Sequence, residues 1–403
     1  MALITIDYPP ARTSAAVQMR DLAHEFQRQG HRPVVIVPDT KVEKPWRLEE
    51  ANGVEILRVR AKPMRDIGHV RRTINERQVS YILARGIDAS PFAREDWDIV
   101  VWYSPTIFFG PFIRKLKRRS GALAYLILRD IFPEWAVDLG VLRKGPAYWY
   151  FKRHALFQYK IADVIGVQTE SNLVYLSDWC SRTNKRLEVL HNWQHPPVVG
   201  PCSIRIANTV LSGRTIFCYI GNMGLAQGMD VLVDLAARTC NRSDIGFLFV
   251  GRGSEVPALK RRISDLGLTN VLMFGEIPAE EIPGLLAQCH VGLLALHPNH
   301  KSHNIPGKFL SYLRAALPVL ASVNAGTDLQ CIIENEGVGR AFAGDALDDL
   351  YAALNILADD VSLRAEMSER CTALADRLFS PASTVRQIVG HLISGAVRPT
   401  CSP

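Results

Sequence analysis

The chain has 403 residues, 48% hydrophobic and 22% charged, with a formal net charge of +7. That length exceeds one ordinary domain, so two are expected, and the unremarkable Gly and Pro contents exclude a largely disordered or collagen-like chain. The charge is uneven: residues 1–198 hold 30 Lys/Arg against 21 Asp/Glu, and residues 199–403 hold 17 against 19. A basic first half is expected to meet something anionic, either nucleic acid or a membrane surface. Eight scattered cysteines, with no CxxC pair and no His at zinc spacing, point to reduced thiols and not to disulfides or a metal site. The opening MALITIDYPP lacks the basic and apolar regions of a signal peptide, and no run reaches the roughly 18 apolar residues of a membrane span. A cytoplasmic protein, soluble or peripheral, is the expectation.

Residues 2–6 read as a buried strand, residues 7–13 as a loop, and Ser14 as the cap of a helix ending near Gln29, with Gly30 as its stop. Residues 34–37 form the next strand, which makes the start a βαβ unit. Ligands meet such units at the carboxyl ends of the strands, so Tyr8 and Ser14 are candidate substrate contacts. A strand at 54–59 follows. Residues 65–85 interleave arginine with Ile, Val, Tyr and Leu, which fits a membrane-surface helix or equally a solvated helix packed on the domain. Residues 99–103 are a strand, and residues 112–119, FIRKLKRR, a helix with a dense basic face. The strand at 122–128 delivers Arg129, Asp130, Phe132, Glu134 and Trp135 to its tip. These are candidate site residues, or else a structural Arg129–Asp130 or Arg129–Glu134 pair. A strand at 164–168 precedes a helix capped by Ser171, and a strand at 187–190 precedes His191-Asn192-Trp193. Residues 194–213 lose periodicity and carry Pro196, Pro197, Gly200, Pro201 and Gly213, as an interdomain linker does.

A second βα series follows, with strands at 216–220, 247–250, 271–274 and 291–296. Glycine-rich loops run from Gly221 to Gly228 and from Gly251 to Glu255. The first is neither G-x-G-x-x-G nor G-x-x-x-x-G-K-S/T, so neither a nicotinamide site nor a P-loop is indicated. The stretch that organises the chain is residues 301–323, KSHNIPGKFLSYLRAALPVLASV. Asn304 is placed to cap a helix and Pro306 to sit in its first turn. Phe309, Leu310, Leu313 and Leu317 recur at helical spacing, Pro318 ends the helix, and residues 319–321 form a buried strand. Lys308 is left over. A cation in the first turn of a helix, where the dipole already favours anions, is a diphosphate site in outline; a solvated surface lysine is the bland alternative. Three tail helices are expected near 345–357, 362–378 and 381–394.

Two α/β halves with such loops resemble the GT-B glycosyltransferases of family 4. The likeness is carried by the YPP loop, GNMGLAQGMD (221–230), VGRGSE (250–255), FGEIPAEEIPGLLAQCHVGLLAL (274–296) and IPGKFLSYLRAALPVLAS (305–322). LRDIFPEWAVDLGVL (128–142), GNMGLAQG and NIPGKFLSY look most like the WbuB-type N-acetyl-L-fucosamine transferases of bacterial surface polysaccharide assembly. The resemblance implies two Rossmann-like doubly wound domains facing across a cleft. Residues 1–198 would bind the acceptor, residues 199–380 the nucleotide sugar, and a C-terminal helix within 381–403 would pack back on the first domain. Gly221, Asn222, Gly224 and Gln227 would line the donor diphosphate. Arg252 and Glu255 would sit near uracil and ribose. Lys308 would hold the diphosphate, with Ile305, Pro306 and Gly307 as its wall. Asp130 stands near where many members carry a strand-tip histidine, and it or Glu134 could assist the acceptor hydroxyl. Tyr8, Ser14 and Arg129 fall on the acceptor side.

The departures from the family pattern are specific. Asn222 and Gln227 stand where many members have Arg and Lys, and His303 and Ser311 where many have a pair of glutamates eight apart. The implied reaction is retaining transfer of N-acetylfucosamine or a related amino-deoxy sugar from a UDP-sugar, which is a substrate and not a cofactor. The implied acceptor is an undecaprenyl-diphosphate-linked or lipopolysaccharide-core saccharide at the inner leaflet of the membrane. No DxD-like carboxylate pair ends a strand of the second half, so no required metal is expected. Two rivals share the fold: a UDP-sugar 2-epimerase, and a catalytically inactive partner in a polysaccharide assembly complex. Nucleic acid is disfavoured, because no RNP-like aromatic pattern appears.

Overall fold

The computed structural model describes residues 1–11, 13–64, 67–138, 140–297, 304–344 and 346–396. The chain divides into two compact units, one made of Met1–Trp193 with the chain from Pro381 onward, the other of Gln194–Ser380. The division falls at 193/194, five residues before the boundary read from the proline-rich stretch.

The first unit holds one eight-stranded sheet: β1 Ala2–Ile4, β2 Val34–Asp39, β3 Trp46–Ala51, β4 Val54–Arg60, β5 Ile99–Ser104, β6 Leu123–Leu128, β7 Val164–Val167 and β8 Arg186–Val189. Their order is β3-β4-β2-β1-β5-β6-β7-β8, and every pairing is parallel except β3 with β4. The inner strands are apolar on both faces, as a sheet covered on both sides requires. One face packs on helices His69–Asp88, Gly110–Ser120 and Pro146–Ile161, with Trp97, Trp102, Phe109 and Phe112 among its fully buried side chains. The other packs on helices Ser14–Arg28 and Pro381–Ala396, where Phe26, Val385, Ile388 and Leu392 are buried. The last helix is also tied to β8: Gln387 Nε2 donates to the Val189 carbonyl at 2.7 Å, and His391 meets Glu188.

The second unit holds a six-stranded, wholly parallel sheet: β9 Thr215–Ile220, β10 Ile245–Val250, β11 Val271–Phe274, β12 Val291–Ala295, β13 Val319–Val323 and β14 Gly339–Ala343. The order β11-β10-β9-β12-β13-β14 reverses direction between β9 and β12. That reversal is the topological switch point of a doubly wound sheet, outside whose carboxyl end a crevice for ligands opens.

Several local expectations need correction. Thr13, not Ser14, caps the first long helix: its side chain accepts from Ala16 N at 3.2 Å, and Ser14 is already helical. Gly30 does follow that helix in a left-handed conformation, φ +87°. Ser171 is not at the start of a helix; it lies inside a 3₁₀ segment, Glu170–Tyr175, and the α-helix starts later, at Ser177. The key helix of the second unit is Gly307–Arg314, with Pro306 as its extended N-cap residue, so Asn304 lies too early to cap it. Its chain reverses through Ala316 at φ +55°, two residues before Pro318. Helix Pro146–Ile161, strand β3, strand β14 and helix Asp328–Asn335 were not foreseen. Of the stretches read from the sequence, residues 12, 65, 66, 139, 301–303 and 345 lie outside the described residues, His303 among them.

Candidate functional site

In the second unit the loops after β9 and β10 run side by side as a continuation of the sheet. Gly221 N donates to Val250 O at 2.9 Å, Met223 N to Arg252 O at 2.7 Å, and Glu255 N to Met223 O at 3.0 Å. Such close approach admits no side chain. A Cβ on Gly251, at φ +149°, would lie 1.9 Å from the Gly221 carbonyl oxygen, and one on Gly253 2.1 Å from that of Met223. The glycines therefore serve the fit of backbone to backbone.

Lys308 lies against this pair of loops. It occupies the first turn of helix Gly307–Arg314, the helix that enters β13 beside the switch point. Its N-cap residue, Pro306, makes no side-chain cap, and the Phe309 N–H already donates to Pro306 O at 3.0 Å, so what the helix start offers an anion is chiefly the positive end of its dipole. The lysine ammonium donates to the Tyr219 hydroxyl and sits 4.0 Å from the centre of the Tyr219 ring. Tyr219 in turn donates to the Asn222 carbonyl at 2.6 Å. A Cβ on Gly221 would touch Lys308 Cε at 3.5 Å, so the lysine stem runs along the glycine. Among the described residues Lys308 has no carboxylate partner. Burial without a counter-charge pushes its pKa down to about 8. Phe309, Leu310, Tyr312 and Leu313 bury the opposite side of the helix, and the Tyr312 hydroxyl anchors to the sheet by donating to Leu293 O at 3.1 Å. Ile305, on the near side, is buried.

The remaining donor-side residues fall into two groups. Asn222 and Gln227 hold each other: Gln227 Oε1 accepts from Asn222 Nδ2 at 2.9 Å and from Gly224 N at 3.0 Å. The pair is neutral and closes the loop, and the Gly224 N–H is engaged in it. Arg252 and Glu255 stand further out. Arg252 is exposed and pairs with Glu276 at 3.3 Å, while Glu255 accepts from Ser254 Oγ at 3.2 Å. Ser311 bonds to Gln194 at 3.3 Å and to the Gly307 carbonyl at 3.4 Å. Lys308, Gly221, Asn222, Gly224 and Gln227 are thus one neighbourhood; Arg252 and Glu255 form its rim.

The first unit gathers its candidates at the tips of β1 and β6. Tyr8 is buried, its hydroxyl has no hydrogen-bond partner among the described residues, and burial pushes its pKa up to about 12. It lines a cavity of about 410 Å³ together with Asp7, Asp39, Lys41 and Arg58. Ser14 is exposed. Arg129 pairs with neither Asp130 nor Glu134. It is buried, its guanidinium donates to the carbonyls of Leu190 at 2.5 Å and His191 at 3.2 Å, and it lies 5.3 Å from the Trp193 ring. Glu134 forms a half-buried ion pair with Lys152 and accepts from Tyr148 at 3.4 Å. Asp130 keeps accessible surface at the strand tip but stands in a crowded surrounding, whose desolvation raises its pKa against the opposing pull of Arg72 and Arg129. Of the three charged tip residues only Asp130 is uncommitted.

Sequence reasoning missed Tyr219, which holds the lysine in place. The available signal was a tyrosine near the carboxyl end of an otherwise aliphatic and aromatic buried strand, TIFCYI, where its hydroxyl reaches the loop.

Residues 204–373, which lie within the second unit, match the family described as Glycosyl transferases group 1. Two curated relatives point the same way. WbjE of Pseudomonas aeruginosa, named as a glycosyltransferase, is 28% identical over 56% of this chain and 57% of its own length. WcaI of Escherichia coli K12, named as a colanic acid biosynthesis glycosyl transferase, is 22% identical over 74% of this chain and 75% of its own. Solved structures share the fold. An E. coli trehalose-6-phosphate protein bound with UDP-2-fluoro glucose superposes at a TM-score of 0.70, with 12% identity, over 97% of this chain and 99% of that one. Sucrose-phosphate synthase of Thermosynechococcus elongatus gives 0.69, with 17% identity, over 98% and 99%. HepE of Anabaena in complex with UDP gives 0.67, with 15% identity, over 98% and 99%.

Proposed function

We propose that this protein is a retaining glycosyltransferase of bacterial surface polysaccharide assembly. It takes a UDP-sugar, N-acetylfucosamine or a related amino-deoxy sugar, and glycosylates a lipid-linked saccharide, an undecaprenyl-diphosphate-linked or lipopolysaccharide-core acceptor, at the inner face of the membrane. The observation that carries the reading is Lys308: a half-buried ammonium at an uncapped helix start, with no carboxylate partner among the described residues. When a nucleoside diphosphate leaves, negative charge grows on a phosphate oxygen, and fixed donors aimed at that charge lower the barrier. Lys308 supplies the cation, and the positive end of its helix supplies the dipole. The sugar carbon passes through an oxocarbenium-like state. Asp130, exposed and uncommitted at the β6 tip, is assigned to the acceptor hydroxyl. Metal independence belongs to the proposal and is checked by activity in a chelator.

Replacing Lys308 by Ala is expected to lower sugar transfer by about 10²–10³-fold, the scale set by losing one charge-stabilising donor, with the fold intact by circular dichroism. Transfer at the wild-type rate would sink the assignment. The neutral Asn222–Gln227 pair favours one other reading, a binding partner without turnover. UDP-sugar binding with no transfer to any lipid acceptor would select it, and isomerised donor in the absence of acceptor would select the epimerase.

A further inference from the structure

Three helices of the first unit, His69–Asp88, Gly110–Ser120 and Pro146–Ile161, cover the same sheet face, the second packed against both others. Together they hold twelve Lys/Arg against two Asp/Glu, a surplus larger than the whole chain's +7. Glu76 and Asp88 already pair with Arg72 and Lys115. Arg71, Arg77, Arg85, Arg114, Arg118 and Arg153 are exposed and carry no ion pair among the described residues. Between these cations the same helices expose large apolar side chains: Val70 at 77%, Ile74 at 52%, and Tyr81 and Trp149 at 64% each. Arg77 and Arg153, from the first and third helices, both lie close enough to act on His154, so the charge converges where the helices meet. A groove of about 590 Å³ opens beside the third helix, with Trp149, Phe157 and Trp179 as walls and Lys152, Arg153 and Lys160 around them.

One exposed apolar side chain is ordinary, but Val70, Ile74, Tyr81 and Trp149 interleaved with unpaired arginines on one three-helix face form a patch. That combination fits one environment: anionic phosphates at one level, with acyl chains just beneath. Aliphatic Val70 and Ile74 have no stacking value for a nucleobase but gain from leaving water for lipid. Val70, Ile74 and Trp149 lie in the first two turns of helices that follow strands β4 and β6. They therefore sit at the carboxyl ends of those strands, the end that also carries Tyr8 and Asp130. We infer that this three-helix face docks the protein on an anionic lipid bilayer, with Ile74, Tyr81 and Trp149 inserted at the interface and the arginines on lipid phosphates. The inference rests on the proposed lipid-linked acceptor for its purpose; its test does not.

The test is co-sedimentation of the full chain with vesicles of phosphatidylglycerol and phosphatidylethanolamine, against vesicles of phosphatidylcholine. The wild type is expected to pellet with the anionic vesicles only and to be released by salt. Arg77→Gln/Arg114→Gln/Arg153→Gln is expected to weaken binding by about fivefold per charge, from about 1 kcal/mol for each basic residue near the surface. Ile74→Ser/Trp149→Ala is expected to weaken it by at least about tenfold. Both variants should keep full protection by UDP against thermal unfolding, which separates a failed docking face from a failed donor site. The inference is overturned if the wild type ignores anionic vesicles, if both variants pellet as the wild type does, or if a single-stranded oligonucleotide is bound more tightly than the vesicles.

Discussion

The strand tips of the two units differ in what their charges are doing. In the second unit Lys308 is held by a hydroxyl and an aromatic ring, neither of which neutralises it. In the first, Arg129 is locked to two carbonyls and Glu134 to Lys152. A buried charge with its partners in place is part of the architecture. A buried charge with neither a counter-charge nor a set of fixed carbonyl acceptors costs the empty protein stability, and such a charge at a strand tip is a candidate to meet a ligand of opposite sign. The comparison therefore separates a residue built to bind from residues built to hold.

The sharpest break falls on the cradle itself. Gly251→Val places a side chain against the Gly221 carbonyl at a backbone conformation that L residues rarely adopt. It should cost about 3 kcal/mol or more and abolish UDP protection in thermal melts. Gly30→Ala is the control: φ is also positive, but nothing lies within 4 Å, so about 1 kcal/mol is expected. Equal losses would mean that loop-to-loop contact is not what those glycines serve.

Lys308→Met tests the claim that the lysine is a burden on the empty protein. Its pKa falls from 10.5 to about 8, equivalent to about 3 kcal/mol against the charged form. The methionine variant should melt at a higher temperature than the wild type without ligand and lose its response to UDP. A variant less stable than wild type would show Lys308 to be a structural tie. In the first unit the expectation reverses. Glu134→Gln breaks a half-buried pair and should destabilise by about 1–2 kcal/mol while UDP protection persists. Asp130→Asn, at an exposed position, should leave stability within about 0.5 kcal/mol and lower transfer. Asp130→Asn with unchanged transfer would remove it from the reaction.

Much of this was legible in the sequence, for identifiable reasons. Parallel strands inside a covered sheet are short apolar runs, and twelve of the fourteen described strands stand out so. Strand β3, WRLEEA, did not, because an antiparallel edge strand is half polar. Helix Pro146–Ile161 was missed because its exposed side carries Trp149 and Tyr150 where a helical pattern should turn polar. Lys308 could be singled out because a helix start is a local feature. Its support could not: Tyr219 lies 89 residues away, and only the β9–β12 reversal brings the two together. The same holds for Arg129, whose carbonyl partners are 61 and 62 residues downstream. Local sequence offered it only its neighbours Asp130 and Glu134.

The smallest effect tests the charge state directly. With a pKa near 8, Lys308 is about nine-tenths protonated at pH 7 and about one-tenth at pH 9. Only the ammonium grips a diphosphate, so UDP affinity measured by calorimetry should fall about tenfold across that interval. Stability of the empty protein should move the other way. The folded state has lost the Lys308 proton between about pH 8 and 10.5 while the unfolded chain still holds it, so this group makes unfolding harder as pH rises through that window. Lys308→Met should flatten both trends. An ordinary exposed lysine would show neither below about pH 10, and UDP affinity level from pH 7 to 9 would place the ammonium in bulk water and end its role as the diphosphate cation.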